Sequence, residues 1–186
     1  MTYKSPFQTK QQICDLSKRY LEADANNDIT DKDCLAAGLS LLEGVDERRN
    51  LRIVVHWKLQ AFVERFAWAR DFPNDLIDDE ISHALTPARR MIDPFDKRKI
   101  GHALMVLDSL PGVGIPVASA ILMAMHPNCF TVIDRQAYRA LSADFRDPIS
   151  PTEYFEYLAF CREQANLFGV NLRKYDQALW QFGSEN

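Results

Sequence analysis

Strand-like alternation is nearly absent from this chain, and the residues that punctuate short strands are sparse: 186 residues contain seven glycines and nine prolines. An all-β fold is therefore excluded at the outset. Cysteine is sparse, and Cys14, Cys34, Cys129 and Cys161 lie far apart. No two have the spacing of a zinc or iron–sulfur site, so neither cofactor is expected. With no signal peptide at the start, the chain reads as a cytoplasmic protein with reduced thiols, nucleoid-associated if bacterial. No apolar run is long enough to span a bilayer, so no membrane partner is expected. Positive charge is not in excess: 22 Lys and Arg stand against 26 Asp and Glu, a net charge of −4. That balance argues against a coat of non-specifically bound nucleic acid and leaves room for a local basic face. Repeats, low-complexity tracts and evident linkers are also missing, so residues 1–186 read as a single unit.

What is present is helical periodicity. With 47% hydrophobic residues, the chain can bury a substantial core. Three- and four-residue apolar steps predict helices over 11–23, from the Thr30/Asp33 cap to 42, and over 46–70. Gly44 is the expected stop of the second. Asn74 is expected to cap a short helix to 85, with Asp75, Asp78, Asp79 and Glu80 serving its positive end. Thr86-Pro87 reads as the opening of another helix. Further helices are predicted over 96–109, 115–125, 134–143, 151–168 and 171–183. The fold class is all-α. The turn near Pro73 and the loop over 147–151 are the expected hinges.

Residues 107–141 form the most informative stretch: helix, Leu110-Pro111-Gly112-Val113-Gly114, helix, loop, then Val132-Ile133-Asp134-Arg135 opening the next helix. Two glycines one residue apart let the backbone turn sharply and approach another molecule without an intervening Cβ. The turn feeds a helix N-terminus, where free N–H groups and the helix dipole favour an anion, and phosphate suits such a nest. No Gly-Lys-Ser/Thr follows and no strand precedes, so neither a nucleotide P-loop nor a Rossmann fingerprint is present. The plainer reading is an ordinary turn between two helices. Likewise Asp134 can serve as an N-cap for the helix that follows it.

LDSLPGVGIPVASAIL followed by HPNCFTVID resembles the helix–hairpin–helix superfamily of base-excision DNA glycosylases, with the motif at about 97–126. In that family an acid follows the hairpin by about twenty residues after a short apolar run, and Asp134 stands twenty positions after Gly114 (134 − 114 = 20). YDQALWQFG over 175–183 resembles the family's helix before its iron–sulfur loop. The resemblance implies a two-lobed helical domain that grips double-stranded DNA. Amides of Gly112, Val113 and Gly114 would hold a backbone phosphate. Carbonyls of Asp108, Leu110 and Val113 would bind a structural monovalent cation, sodium or potassium. Asp134 would stabilise positive charge on the sugar as an extruded base departs.

Two departures from the family pattern narrow the expectation. Bifunctional members carry a lysine two residues after the second glycine, where this chain has Pro116, so no strand cleavage is expected. The four-cysteine cluster is also missing. The expected activity is thus a monofunctional DNA glycosylase, and the rival is a DNA-binding or scaffolding protein that keeps the fold without catalysis. A protein–protein module would bind no DNA at all.

Other residues carry two readings each. Trp57 and Phe62 can stack on an extruded base, with Lys58 on phosphate, or they are core aromatics beside a solvated lysine. Arg89, Arg90, Lys97, Arg98 and Lys99 bracket the approach to the hairpin, as a phosphate-facing patch or a solvated face. Arg135 and Arg139, one turn apart, can face the same backbone. His83, His102 and His126 have no chelating neighbours and receive no role.

Overall fold

The structure is a computed structural model, and it describes residues 3–60, 63, 67–91, 93–141 and 148–186. Among the described residues there are ten α-helices and no strand. The fold is all-α. In chain order the helices are α1 Lys10–Asp24, α2 Asp31–Glu43, α3 Glu47–Leu59, α4 Ala67–Asp71 and α5 Asp78–Arg89. They continue as α6 Lys97–Asp108, α7 Ile115–Met125, α8 Arg135–Ala140, α9 Pro151–Phe168 and α10 Leu172–Glu185.

Local chemistry sets most of these boundaries. Thr9, Thr30 and Ser150 cap α1, α2 and α9 in reciprocal capping boxes with Gln12, Asp33 and Glu153. Asp96, Asp134 and Asn171 cap α6, α8 and α10 through their side chains. As expected, α2 stops at Gly44, which takes a left-handed φ of 75°.

Two expected elements are corrected. The helix expected over 46–70 is broken: α3 ends at Leu59, and Gln60 turns out of helical geometry at φ 36°, ψ −109°. Residues 61, 62 and 64–66 of that expected helix lie outside the described residues, as does the segment 142–147 that follows α8. The second correction concerns Pro87. It does not open a helix but lies in the last turn of α5, which itself starts at Asp78 after the N-cap Ile77 rather than after Asn74. In that last turn the proline's missing N–H costs only the bond to the His83 carbonyl.

α7 is the centre of the core. Every residue of it except Pro116 is buried, and α2, α3, α5 and α6 all touch it. An apolar helix with no polar face is stable only when enclosed on all sides. Around it, α10 packs on α1, α8 and α9. The α8–α10 contact is backbone-close: a Cβ at Gly183 would lie 1.9 Å from the Gln136 carbonyl oxygen, so no larger residue fits there.

A buried charge cluster ties α1, α2 and α10. Arg173 pairs with Asp31 and with Asp176. Gln177 donates to Asp31 at 3.1 Å and accepts from the Ser17 hydroxyl at 2.7 Å. The Asp24 carboxylate in turn accepts the Asp31 amide at 2.6 Å. Charges this deep persist only when paired and hydrogen-bonded.

Candidate functional site

Residues 130–133 are buried and belong to no helix, and side chains rather than a strand ladder satisfy much of their backbone. Asp176 accepts the Thr131 hydroxyl at 2.5 Å and the Val132 amide at 3.3 Å. The Tyr154 and Tyr157 hydroxyls donate to the carbonyls of Thr131 and Val132, at 3.1 and 3.2 Å. The Ile133 amide donates to the Ser119 hydroxyl on α7 at 3.1 Å. Five hydrogen bonds from α7, α9 and α10 thus fix the segment that delivers Asp134 to the start of α8. Burial pushes the Asp176 carboxyl up to about 6, against the opposing pull of Arg173 and of the Thr131 hydroxyl.

At the end of that segment the Asp134 carboxylate divides its two oxygens. Oδ1 accepts the Ala137 amide at 2.9 Å, so Asp134 is an N-cap. Oδ2 accepts from Lys58 Nζ at 3.1 Å. The two side chains retain 11% (Lys58) and 15% (Asp134) exposure, so the pair is largely withdrawn from water without being sealed. Lys58 comes from the last turn of α3. Sequence spacing gave no sign of this partner, because helical periodicity carries no information about which helices meet.

The neighbouring Trp57 is not available for stacking. It is 6% exposed, and its ring faces the Arg173 guanidinium at 5.2 Å. This corrects the reading of Trp57 as a base-stacking surface: it is a core aromatic that shields the buried charge cluster. Phe62, the third residue of the expected base pocket, lies outside the described residues.

The hairpin is present between α6 and α7, with Gly112 at φ 79°. A Cβ on Gly112 would lie 2.4 Å from the indole ring of Trp68. Gly112 is therefore needed for its backbone angle and for contact with α4, which corrects the expectation that its missing side chain leaves room for another molecule, while its amide keeps no acceptor among the described residues. Val113 is corrected as well, since its side chain is buried and its amide donates to the Leu110 carbonyl at 3.0 Å. The amides without an acceptor among the described residues are those of Gly112, Gly114 and Ile115. Gly114 is exposed, has an ordinary φ of −81°, and an added Cβ there would meet only Pro116 Cδ, at an ordinary contact of 3.7 Å. Nothing in the surrounding protein requires a glycine there, and its open face borders the free amides.

Of the basic residues, Lys97, Arg98, Lys99, Arg135 and Arg139 are all exposed. Arg98 stands near Asp96 at 3.8 Å, and Arg139 donates to the Gly183 carbonyl at 3.3 Å. Arg89 leaves the expected patch: it turns inward to donate to the Leu41 carbonyl at 2.7 Å and to pair with Glu47 at 2.6 Å. For the expected monovalent cation, the Asp108 and Val113 carbonyls have no protein donor among the described residues, whereas Leu110 already accepts from Val113. Two of the three carbonyls are thus without a protein donor among the described residues. All four cysteines are free thiols. Among the described residues no three His, Cys, Asp or Glu side chains gather as metal ligands, and no helix is long and apolar enough to cross a membrane.

Comparison with protein-family models, with curated proteins and with solved structures gives no match.

Proposed function

We propose that this chain binds double-stranded DNA through the 110–114 hairpin and hydrolyses the N-glycosidic bond of a damaged or modified base, with Asp134 as the essential carboxylate. The observation that carries this reading is the Asp134 site. A carboxylate is held at the end of a hydrogen-bonded segment, mostly withdrawn from water, with a lysine ammonium 3.1 Å away. In that setting a carboxylate stabilises the cationic sugar formed as the C1′–N bond breaks, and it accepts the proton of the water that adds to C1′. The bonding electrons leave with the base, which takes a proton from solvent or from the adjacent Lys58 ammonium. The two-lobed glycosylase-like arrangement belongs to the same proposal. So do a structural sodium or potassium ion at the hairpin and phosphate contacts from Gly112, Gly114, Lys97, Arg98, Lys99, Arg135 and Arg139.

One observation favours the rival. Asp134 already accepts from two donors, Ala137 and Lys58, as a purely structural ion pair would. A DNA-binding protein without catalysis follows if that pair never opens.

The test incubates the protein with duplexes carrying varied lesions or modified bases and assays released base, alongside binding measured across salt concentrations. Asp134→Asn keeps an oxygen for the Ala137 cap while removing the charge. Base release by wild type, reduced at least a hundredfold in Asp134→Asn, is the expected result. Salt-dependent binding with no release from any duplex selects the rival, and absence of salt-dependent binding rejects both.

A further inference from the structure

Between α5 and α6 lies a pocket of about 240 Å³ lined by Thr86, Pro87, Arg90, Lys99 and His102. We infer that this pocket is a binding site for a phosphate ester, held by Arg90, Lys99 and His102. The inference does not depend on Asp134 or on any excision chemistry.

Charge comes first. The chain is acidic overall, yet three nitrogen-bearing side chains line this pocket and no carboxylate does. Thr86 spends its hydroxyl proton on the Ser82 carbonyl at 2.7 Å, and proline has no N–H, so the donors facing the space are those of Arg90, Lys99 and His102. Four other arginines of the protein are spent on internal acceptors. Arg48 donates to the Pro73 and Leu76 carbonyls, Arg89 to Leu41, Arg162 to Pro94 and Cys129, and Arg173 to two carboxylates. The side chains of Arg90 and Lys99, by contrast, have no acceptor among the described residues, and both are exposed, as is His102. Cations gathered round one concavity repel each other, and an anion relieves that repulsion.

Shape and donor geometry then choose the anion. A guanidinium presents paired N–H groups that match two phosphate oxygens, an ammonium adds a point charge, and an imidazole adds a further donor. Tetrahedral phosphate oxygens can meet donors converging from two helices, which a planar carboxylate does less well. The pocket is larger than a bare phosphate, and the Thr86–Pro87 side offers a less polar wall for an attached sugar. α6 carries the pocket near its start and the hairpin beyond its end. From Lys99 to Asp108 the helix rises about 14 Å at 1.5 Å per residue. Laid along a duplex, that length covers about four nucleotides of one strand at 3.4 Å each. The same chemistry also suits a free nucleotide, and the experiment separates the two sources.

The imidazole resonances of the four histidines are followed by NMR while inorganic phosphate, a 5′-mononucleotide or a short duplex is added at constant ionic strength, with chloride as the control. His102 is expected to shift saturably with phosphate-bearing probes and not with chloride. An Arg90→Gln/Lys99→Gln double variant, altered only at exposed positions, is expected to weaken that response at least tenfold. Saturation by duplex, with the salt slope of binding reduced by about 0.9 in the double variant, identifies a nucleic-acid phosphate as the source. Saturation by the mononucleotide with a silent duplex identifies a nucleotide site. A His102 resonance unmoved by all three probes, or moved equally by chloride, overturns the inference. Duplex binding that leaves His102 unmoved would likewise remove this site while sparing the hairpin reading. Mononucleotide binding without any duplex binding would do the reverse.

Discussion

Two charged groups of side chains lie close together in this molecule and are built differently. Around Arg173, two carboxylates, a glutamine, a tyrosine and a serine are knitted together. All members are buried, and nearly every donor has its acceptor. The Lys58–Asp134 pair keeps a small opening to water, and the Lys58 ammonium, able to donate three hydrogen bonds, has one acceptor among the described residues. Saturated charge holds helices together, whereas charge with spare bonding capacity at the protein's edge remains free to engage something else. The hairpin repeats the contrast on the backbone, with Gly112 committed to Trp68 and Gly114 open.

The largest effect expected from breaking this contrast is at Arg173. Arg173→Met leaves Asp31 and Asp176 buried without their cation and is expected to cost about 3–5 kcal/mol in chemical denaturation. Lys58→Met is expected to cost about half as much, because Asp134 keeps its Ala137 bond and some contact with water. Equal losses would mean that the two groups serve the same structural purpose.

Next in size comes the hairpin. Gly112→Ala is expected to destabilise the fold by about 2 kcal/mol, from a positive φ and from collision with the Trp68 ring. Gly114→Ala is expected to leave stability within about 0.5 kcal/mol and to weaken duplex binding several-fold. Loss of stability from Gly114→Ala with unchanged binding would place that glycine in the scaffold.

The smallest effect concerns pH. Asp176 holds its proton more tightly in the folded chain, with a value near 6 against an ordinary 3.8. Its contribution therefore favours the folded state at low pH and is lost as pH rises through that window. Stability measured between pH 4 and 6, roughly the same interval, is expected to fall less steeply with rising pH in Asp176→Asn than in wild type. An unchanged slope would show that Asp176 does not titrate there.

Legibility from sequence followed the range of the interaction concerned. The boundaries of α2, α6, α7 and α9 could be read because caps and stops act within four residues: Thr30 with Asp33, Gly44, Asp96, and Ser150 ahead of Pro151. The break at Gln60 could not be read, since the apolar rhythm of Leu51, Val54, Val55 and Leu59 continues through Val63 without a breaker, and only tertiary packing decides against a straight helix. Pro87 was misread because a proline in the last turn of a helix looks, in sequence, like one in the first turn of the next. Asp134 was legible through its distance from the hairpin. Lys58, 76 residues away, was not legible as its partner. The Arg173 cluster left a signal that composition obscures. Asp176 falls in the three- and four-residue series of Leu172 and Leu179, on the buried side of α10, and an acid on an apolar face calls for a buried cation.

The enclosure of α7 has a consequence for how the molecule comes apart. Peripheral helices can fray individually, but the amides of residues 118–125 reach solvent only when several of the surrounding helices leave together. Hydrogen exchange along that helix therefore reports the opening of the whole chain, and its slowest protons set the ceiling on the protein's stability.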